Sequence, residues 1–430
     1  MHIDKVSISN YRSFEEFNVT LNRQMNVVIG NNGAGKTAFI EAVATIASAF
    51  LLGLDGQRGF PIRKTDIRTT RFLLGNSIDE QYNLPLTIRA SGSILGREFS
   101  SDDWLLELDK SNGKTKSRGI KQIKSYVGDI QRMIRNGEPV TLPLLSYYST
   151  ARLWKTKERR RNAAKKSFMR QNGYLDCMSI ETDSEKMYEW LKLKTVDKIQ
   201  FGNNYDVLKA VMDAIAFSLR GESSEHEIKE VWYNLATETI EVTSSDGVTM
   251  PYHFFSDGFK VVMGLVADIA YRMGVLNPHL GGNILMETPG IVIIDEIDLH
   301  LHPHWQSTIL DLLMHLFPKI QFIVSTHSPM VINSVRKENL ISLALGKKEP
   351  LSHYYEVYGS DASSILKTTM GVDDRPKNIV AKINRVYQLL DDEQYDDCDR
   401  ALSELEEEVE ATDSELLRLR TALEFNRNQI

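Results

Sequence analysis

Residues 30–37 of this chain, GNNGAGKT, have the composition and spacing of a loop that binds phosphate groups. Glycines at these positions let backbone N–H groups curl around phosphate oxygens, and a following helix adds partial positive charge from its first turn. Lys36 can contact the β- and γ-phosphates, and the Thr37 hydroxyl can ligate Mg²⁺. We therefore predict a nucleotide-binding loop. It comprises Asn31, Asn32, Gly33, Ala34, Gly35, Lys36 and Thr37.

Two acids that follow an apolar run could complete such a site. Residues 290–299 read GIVIIDEIDL, with Asp295 and Glu296 directly after the run. We predict that Asp295 holds Mg²⁺ and that Glu296 polarises the water that attacks the γ-phosphorus. A pair of acids after an apolar strand is a weak signal alone. Together with a phosphate loop it becomes a strong one.

A histidine follows a third apolar run, which occupies residues 321–324. Isolated histidines are more often structural than catalytic. His327, however, comes at the end of a predicted strand, and ligands of open α/β sheets bind at the carboxyl ends of strands. We therefore predict that His327 contacts the γ-phosphate.

The elements that must position these residues follow from the apolar runs. Residues 27–29, 291–294 and 321–324 each predict a short buried strand of one sheet. Residues 38–52, AFIEAVATIASAFLL, predict a helix directly after the phosphate loop. Strand, loop and helix in this order are the context that a phosphate-binding loop requires.

The composition fits a folded chain from a reducing compartment. Charged residues make up 25% and hydrophobic residues 42%, which suits one large core or two domains. Cys177 and Cys398 cannot make a disulfide framework, and the first residues contain no apolar signal core. The apolar residues 261–270 are too few to cross a membrane and include Asp268. We expect a cytoplasmic protein without membrane contact, and its net charge of −7 gives no global attraction to nucleic acid.

Four motifs together resemble those of ABC-type ATPases. They are GNNGAGKT (Walker A), FFSDGFK at 254–260 (signature), DEIDLHLHP at 295–303 (Walker B and D-loop) and STHSP at 325–329 (H-loop). NYRSF at 10–14 matches the first strand of the branch that contains structural-maintenance-of-chromosomes proteins, RecF and the OLD-family ATPases. Within that branch the chain is similar to the ATPase subunits of Septu-type antiphage systems (PtuA) and to retron-associated ATPases. The resemblance covers roughly residues 1–50 and 250–376.

The resemblance implies an α/β fold, an ABC-type P-loop ATPase head that binds ATP and Mg²⁺. In this family two chains enclose two ATP molecules, and the signature serine of one chain caps the γ-phosphate held by the other. That role falls on Ser256, with Gly258 and Arg12 as further nucleotide contacts. Helical apolar spacing after Ser256 also predicts that this serine caps its own helix, and both roles can hold at once.

The chain departs from the family pattern at two places. Asp257 stands where the family more often has glycine, and Lys260 is the candidate cation that would offset its charge. No Q-loop glutamine is identifiable. Residues 143–154, with Tyr147 and Tyr148, occupy the place where it is expected.

We predict four regions along the chain. Residues 1–145 form a first ATPase lobe, 146–250 a helical insert subdomain with a basic segment, 251–376 a second ATPase lobe, and 377–430 an acidic helical tail. No sustained heptads occur in the insert, which predicts a fold without a long coiled-coil arm.

Two segments of opposite charge are candidates for contacts with partners. Residues 151–170 contain nine basic residues and one acid, which indicates nucleic-acid contact, a partner or dimer contact, or only a solvated loop. Residues 391–415 contain thirteen acids and one arginine. A spacing of three and four residues predicts a long helix whose apolar seam packs on its own domain or on a partner. The seam comprises Leu402, Leu405, Val409, Thr412, Leu416, Leu419 and Leu423.

These observations favour an ATP-hydrolysing subunit of an antiphage defence complex. We expect slow turnover, a homodimer or higher homo-oligomer, and a partner HNH nuclease (PtuB-like) that the ATPase regulates. The alternative is a DNA-repair ATPase of the RecF type without a nuclease partner. An OLD-type enzyme is disfavoured, because no strand ending in paired acids follows STHSP, and the NYRSF and LHLHP segments argue against a transporter subunit.

Overall fold

The structure is a computed structural model. It describes residues 1–116, 118–150, 169–179, 185–202, 206–219, 228–351, 357–373, 375–409 and 413–427. The chain forms two compact units, Met1–Ser360 and Asp361–Ile430. The first unit contains every residue that we predict to bind or hydrolyse ATP.

The strands of the described residues all belong to the first unit. In chain order they are β1 (His2–Tyr11), β2 (Phe14–Thr20), β3 (Met25–Gly30), β4 (Thr69–Leu74), β5 (Ser77–Tyr82), β6 (Leu86–Ile94), β7 (Arg97–Phe99), β8 (Leu105–Leu108), β9 (Leu144–Tyr148), β10 (Ile228–Asn234), β11 (Thr239–Ser244), β12 (Thr249–Pro251), β13 (Gly290–Ile294), β14 (Ile320–Ser325) and β15 (Leu340–Leu343).

The α-helices of the described residues occur in both units. In chain order they are α1 (Lys36–Ala47), α2 (Lys121–Arg135), α3 (Glu185–Phe201), α4 (Asp206–Ser218), α5 (Asp257–Leu276), α6 (Ile284–Glu287), α7 (Pro303–Leu316), α8 (Pro329–Ile332), α9 (Ala362–Thr368), α10 (Lys377–Asp391), α11 (Tyr395–Glu408) and α12 (Ser414–Arg427).

One parallel sheet carries the predicted ATP-site residues. Its strand order is β15-β3-β14-β13-β9, and every neighbouring pair is parallel. The strands are apolar and buried along almost their whole length, as expected for parallel strands covered on both faces. The three strands predicted from apolar runs are confirmed as β3, β13 and β14. Because they are neighbours, their carboxyl ends meet at one edge of the sheet.

A second, antiparallel sheet supports the phosphate loop from the side. It has the order β2-β1-β6-β7, with β8 also paired to β6. The turn between β1 and β2 reaches the loop, since a Cβ on Gly35 would lie only 2.6 Å from Ser13 Oγ and 2.9 Å from Phe14 Cζ. A side chain at residue 35 would therefore collide with this turn.

Helix α1 is the predicted helix after the loop, and it is almost completely buried. Among the described residues, Lys36–Gly53 is the helical stretch that is long and apolar enough to cross a membrane, but 78% of it is buried inside the protein. Its apolar character is therefore explained by its place in the core.

The predicted helical insert, 146–250, needs a correction. It contains α3 and α4, but also the antiparallel sheet β10-β11-β12. In β10 the buried Val231 and Tyr233 alternate with more exposed residues. This alternation has the period of two that a half-buried strand requires. A search for helical spacing or for continuous apolar runs does not detect it.

The second unit is a helical bundle with its own core. Helices α10, α11 and α12 share one buried apolar cluster. It comprises Ile379, Ile383, Val386, Cys398, Leu402, Leu405, Leu416, Leu419 and Leu423. The predicted seam is thus buried within its own unit.

The prediction of one long helix across that seam is wrong. Helix α11 ends at Glu408, and α12 begins at Ser414. The Asp413 carboxylate accepts hydrogen bonds from the N–H groups of Glu415 and Leu416, at 2.9 and 3.2 Å. This N-terminal cap starts a new helix, so the leucines of the seam are divided between α11 and α12.

Candidate functional site

The phosphate loop joins β3 to α1 through residues in unusual backbone conformations. Gly30 and Gly35 have φ values of 151° and 98°, which favour glycine. A Cβ on Gly30 would lie 2.6 Å from the Leu343 carbonyl oxygen of β15. Lys36 folds back over the loop, and its Nζ donates to the carbonyls of Gly30 and Asn31 at 2.6 and 3.3 Å. The loop is therefore closed around its own lysine.

The remaining loop residues present mostly open surface. Asn31, Asn32 and Gly33 are exposed, as is Thr37 in the first turn of α1, whereas Ala34 is buried. Backbone N–H groups of an exposed loop at a helix N-terminus are available to an anion. The arrangement fits the predicted phosphate binding by residues 31–37.

Asp295 and Glu296 are fixed at the end of β13 by the neighbouring strand β14. The Glu296 N–H donates to Ser325 Oγ at 2.8 Å, and Ser325 Oγ donates to Asp295 Oδ1 at 2.6 Å. Asp295 is only 1% exposed, and Glu296 has a left-handed backbone with φ 49°. This turn separates the two carboxylates, one buried beside the sheet and the other half-buried.

Asp298 is a site residue that the sequence analysis does not single out. Its Oδ1 accepts hydrogen bonds from Thr326 Oγ1 at 2.6 Å and from the His327 N–H at 3.3 Å. Asp298 thereby ties the segment after β13 to the segment after β14. The signal was available in the motif DEID, whose second aspartate follows Asp295 by three residues.

The charges of these segments act on one another, which places them in one site. Burial lowers the pKa of the Lys36 ammonium, while the charges of Asp295, Glu296 and Asp298 act in the opposite direction. Burial and the charge of Lys36 lower the pKa of His327 from its ordinary value of 6.5, again against the same three acids. The His327 imidazole is therefore neutral at neutral pH.

Arg12, predicted as a nucleotide contact, is held by acids in this structure. It lies in the turn after β1 with φ 46°. Its Nε donates to Asp66 Oδ1 at 2.9 Å, and its guanidinium also forms an ion pair with Glu41 of α1. Arg12 therefore braces the turn against α1 beside the phosphate loop. A contact with nucleotide remains a prediction.

Ser256 occupies the N-cap position of α5, but its side chain does not cap the helix. Its carbonyl accepts from the Lys260 N–H at 3.1 Å, while the hydroxyl makes no capping hydrogen bond. Ser256 and Asp257 are both exposed. The single-chain explanation of Ser256 as a side-chain cap is therefore wrong in this structure, because the hydroxyl forms no capping hydrogen bond.

Gly258 makes its close approach to the same chain. A Cβ at this position would lie 3.3 Å from the His300 carbonyl oxygen and 3.7 Å from the His302 nitrogen. The first turn of α5 therefore rests on the D-loop backbone. Lys260 Nζ lies 3.3 Å from Asp257 Oδ1, so the expected cation beside Asp257 is present.

Two further predictions concern neighbouring segments. Strand β9 ends in Tyr147 and Tyr148 and pairs with β13, so tyrosines do stand beside the acidic strand end. Of the basic segment 151–170, residues 151–168 lie outside the described residues. Its predicted contacts with nucleic acid or a partner stay predictions.

A family model described as "AAA domain, putative AbiEii toxin, Type IV TA system" matches residues 25–333, which include the phosphate loop, the signature, the acidic pair and His327. The chain belongs to this family. Members of this AAA-domain family are ATPases, and the predicted nucleotide binding and ATP hydrolysis are confirmed at that level. The family match and the named relatives also support the resemblance drawn from the motifs.

Two relatives and one solved structure illustrate the similarity. The Vibrio cholerae protein named retron Vc95 probable ATPase is 26% identical over 93% of this chain and 85% of its own length. The Septu protein PtuA of Bacillus thuringiensis is 33% identical over 36% of this chain and 41% of its own length. The SMC head domain from Thermotoga maritima has a TM-score of 0.41 at 14% identity, covering 81% of this chain and 97% of that one.

Proposed function

We propose that two copies of this ATPase enclose two ATP molecules, each bound by the phosphate loop of one copy and the Ser256 end of the other. The observation that carries the proposal is the geometry of Ser256. Its hydroxyl is exposed at the N-terminus of a 20-residue helix and makes no capping bond there. A helix N-terminus with a free hydroxyl suits an anion, and the γ-phosphate of the second copy is the anion we assign to it.

The residues of the phosphate-loop end take the roles predicted for them. Lys36 neutralises the β- and γ-phosphates, and Glu296 orients and deprotonates the attacking water. Neutral His327 can donate a hydrogen bond to the γ-phosphate.

Thr37 and Asp295 would hold Mg²⁺. The fit rests on their oxygen chemistry and on the Asp295 carboxylate, which the Ser325 hydroxyl orients at the strand end. The ion supplies positive charge against the charge of the triphosphate.

We further propose that ATP turnover regulates an HNH-type nuclease in antiphage defence. The support is the similarity to a protein named as a retron ATPase and to one named as a Septu PtuA. Among the described residues, the part of the chain after β14 is short helices, one short strand and the α10–α12 bundle. A separate nuclease partner fits this organisation.

A mixing experiment tests the shared site. Chains with Lys36→Ala and chains with Ser256→Arg should each hydrolyse ATP poorly. The mixture should regain activity, because one of the two composite sites then has an intact Lys36 and an intact Ser256. Failure of the mixture, with both variants folded and able to associate, would contradict a site shared between copies.

A second experiment tests the partner. The ATPase should co-purify with an HNH nuclease encoded beside it, and Glu296→Gln should change nuclease activity in the presence of ATP. DNA-stimulated ATP hydrolysis without any such nuclease partner would instead support the RecF-type alternative.

A further inference from the structure

Three buried polar side chains join β9 to the signature helix α5. The Tyr148 hydroxyl donates to Asp268 Oδ2 at 2.7 Å, and Arg272 Nε donates to the same oxygen at 2.7 Å. Tyr148, Asp268 and Arg272 are 4%, 2% and 5% exposed. We call these three residues the Tyr–Asp–Arg cluster. None of them has a role in the ATP chemistry described above.

Charged and polar side chains such as those of the cluster are unusual on a buried helix face that is otherwise apolar. Its neighbours on α5, among them Val262, Val266 and Ile269, are apolar and buried. A buried ion pair contributes little net stability compared with well-packed apolar residues, although removing one partner is costly. Its hydrogen bonds do, however, fix one relative position of the groups they join. The contribution of the cluster is therefore the fixed relative position of β9 and α5, rather than net stability.

One end of the cluster adjoins the acidic strand end. Tyr148 is the last residue of β9 and stands opposite Ile294 in the parallel pairing with β13. Its carbonyl accepts a hydrogen bond from the Asp295 N–H at 2.8 Å. The same residue thus contacts Asp295 through its backbone and Asp268 through its side chain.

The other end of the cluster lies on the helix that begins beside Ser256. Asp268 and Arg272 are one helical turn apart on α5, and twelve residues of helix separate Asp268 from Ser256, about 18 Å. Arg272 Nη1 also donates to the carbonyls of Gly173 and Leu175 at 2.9 and 3.0 Å. This anchors the middle of α5 against the core on a second side.

We propose that the Tyr–Asp–Arg cluster is a positioning unit that holds α5, and with it Ser256, at a fixed place relative to the strand end that carries Asp295. Because α5 is a continuous helix, a fixed point at Asp268 sets the direction of its N-terminus. Tyr148 is the connecting residue. This inference rests on the proposed role of Ser256 at the ATP of a second copy.

Tyr148→Phe in the full-length protein tests the proposal, because it removes only the hydroxyl that donates to Asp268. We expect kcat for ATP hydrolysis to fall about tenfold, equivalent to about 1.4 kcal/mol of activation free energy. KM for ATP should stay within about twofold, since the phosphate loop is untouched. On a Glu296→Gln background, ATP-dependent association measured by sedimentation should also weaken about tenfold.

Tyr174→Phe is the matched control. The Tyr174 hydroxyl is also buried and donates to the Pro143 carbonyl at 2.6 Å. This hydrogen bond involves neither Asp268 nor Asp295. The control should lose similar stability while keeping kcat and association. An equal loss of kcat in both variants, or a loss confined to KM, would overturn the positioning role.

The outcomes also separate this inference from the proposed function. If Glu296→Gln alone shows no ATP-dependent association, the shared site itself fails. If that variant associates and Tyr148→Phe leaves both association and kcat unchanged, only the positioning role fails.

Discussion

The phosphate-loop end and the signature end of this ATPase use their polar groups in opposite ways. At the phosphate-loop end, Lys36 bonds loop carbonyls, Asp295 bonds Ser325, and Asp298 bonds Thr326, all within one chain. At the signature end, Ser256 presents a hydroxyl at an exposed helix N-terminus without capping it. The polar groups of the first end bond within the chain, whereas the Ser256 side chain at the second end is exposed and caps nothing. Such a difference is expected if the second end acts on a ligand held by another molecule.

The largest expected effect on kcat is at the phosphate-loop end, where the polar groups bond within one chain. Glu296→Gln keeps the size and backbone of the residue but removes the carboxylate that we propose as the base. We expect kcat to fall by about 10²- to 10³-fold while ATP binding is retained, measured by steady-state hydrolysis and by direct nucleotide binding. The exposed Glu338→Gln is the control and should leave both unchanged. Normal hydrolysis by Glu296→Gln would remove Glu296 from the role of base.

Lys36→Ala should act on binding rather than on turnover alone. Hydrogen bonds between charged partners contribute about 1.5–3 kcal/mol, so ATP affinity should fall about 10- to 100-fold. Titration of the variant with a fluorescent ATP analogue would measure it, with exposed Lys337→Ala as the control. Unchanged affinity would mean that the lysine does not face the phosphates.

Ser256→Ala sharpens the comparison between the two ends. ATP affinity of a single chain should stay unchanged, because in the proposed shared site the serine contacts another copy's ATP. The kcat should fall about tenfold, as for one lost transition-state hydrogen bond. Ser307→Ala, which removes a half-buried hydroxyl on α7 that donates to the His304 carbonyl, serves as the control. If Ser256→Ala instead weakens ATP binding by a dilute monomer, the serine belongs to its own chain's site.

The smallest expected effect concerns the link between the segments after β13 and β14. Thr326→Val removes the hydroxyl that donates to Asp298 while keeping the side-chain shape. We expect kcat to fall only about threefold, because the His327 N–H still reaches Asp298. Thr308→Val, which loses an exposed hydroxyl on α7, should have no effect. A loss as large as that of Glu296→Gln would place Asp298 in the chemistry itself.

The phosphate-loop end could be predicted well from sequence because its signals are local. Apolar runs ended by special residues gave β3, β13 and β14, and chain order then brought Lys36, Asp295 and His327 to one edge. The carboxyl ends of parallel strands must meet there, so little tertiary information was needed.

The remainder depends on contacts that no local pattern contains. Asp298 bonds Thr326, and Tyr148 bonds Asp268, across 28 and 120 residues of sequence. The sheet β10-β11-β12 was missed because its strands are not continuous apolar runs, and the break before Ser414 was missed because the spacing of three and four residues continues across it in the sequence. Local spacing reports which face is apolar, but not where the chain turns.

The contact between Gly258 and the His300 carbonyl carries a mechanical consequence. A Cβ at this position would lie 3.3 Å from the His300 carbonyl oxygen, so the start of α5 packs closely on the D-loop. A ligand that displaces Ser256 would also displace the D-loop backbone, which leads back to Asp298 and Glu296. If Ser256 contacts a second copy's ATP as proposed, that contact would therefore be coupled through the D-loop to Asp298 and Glu296 of the same chain.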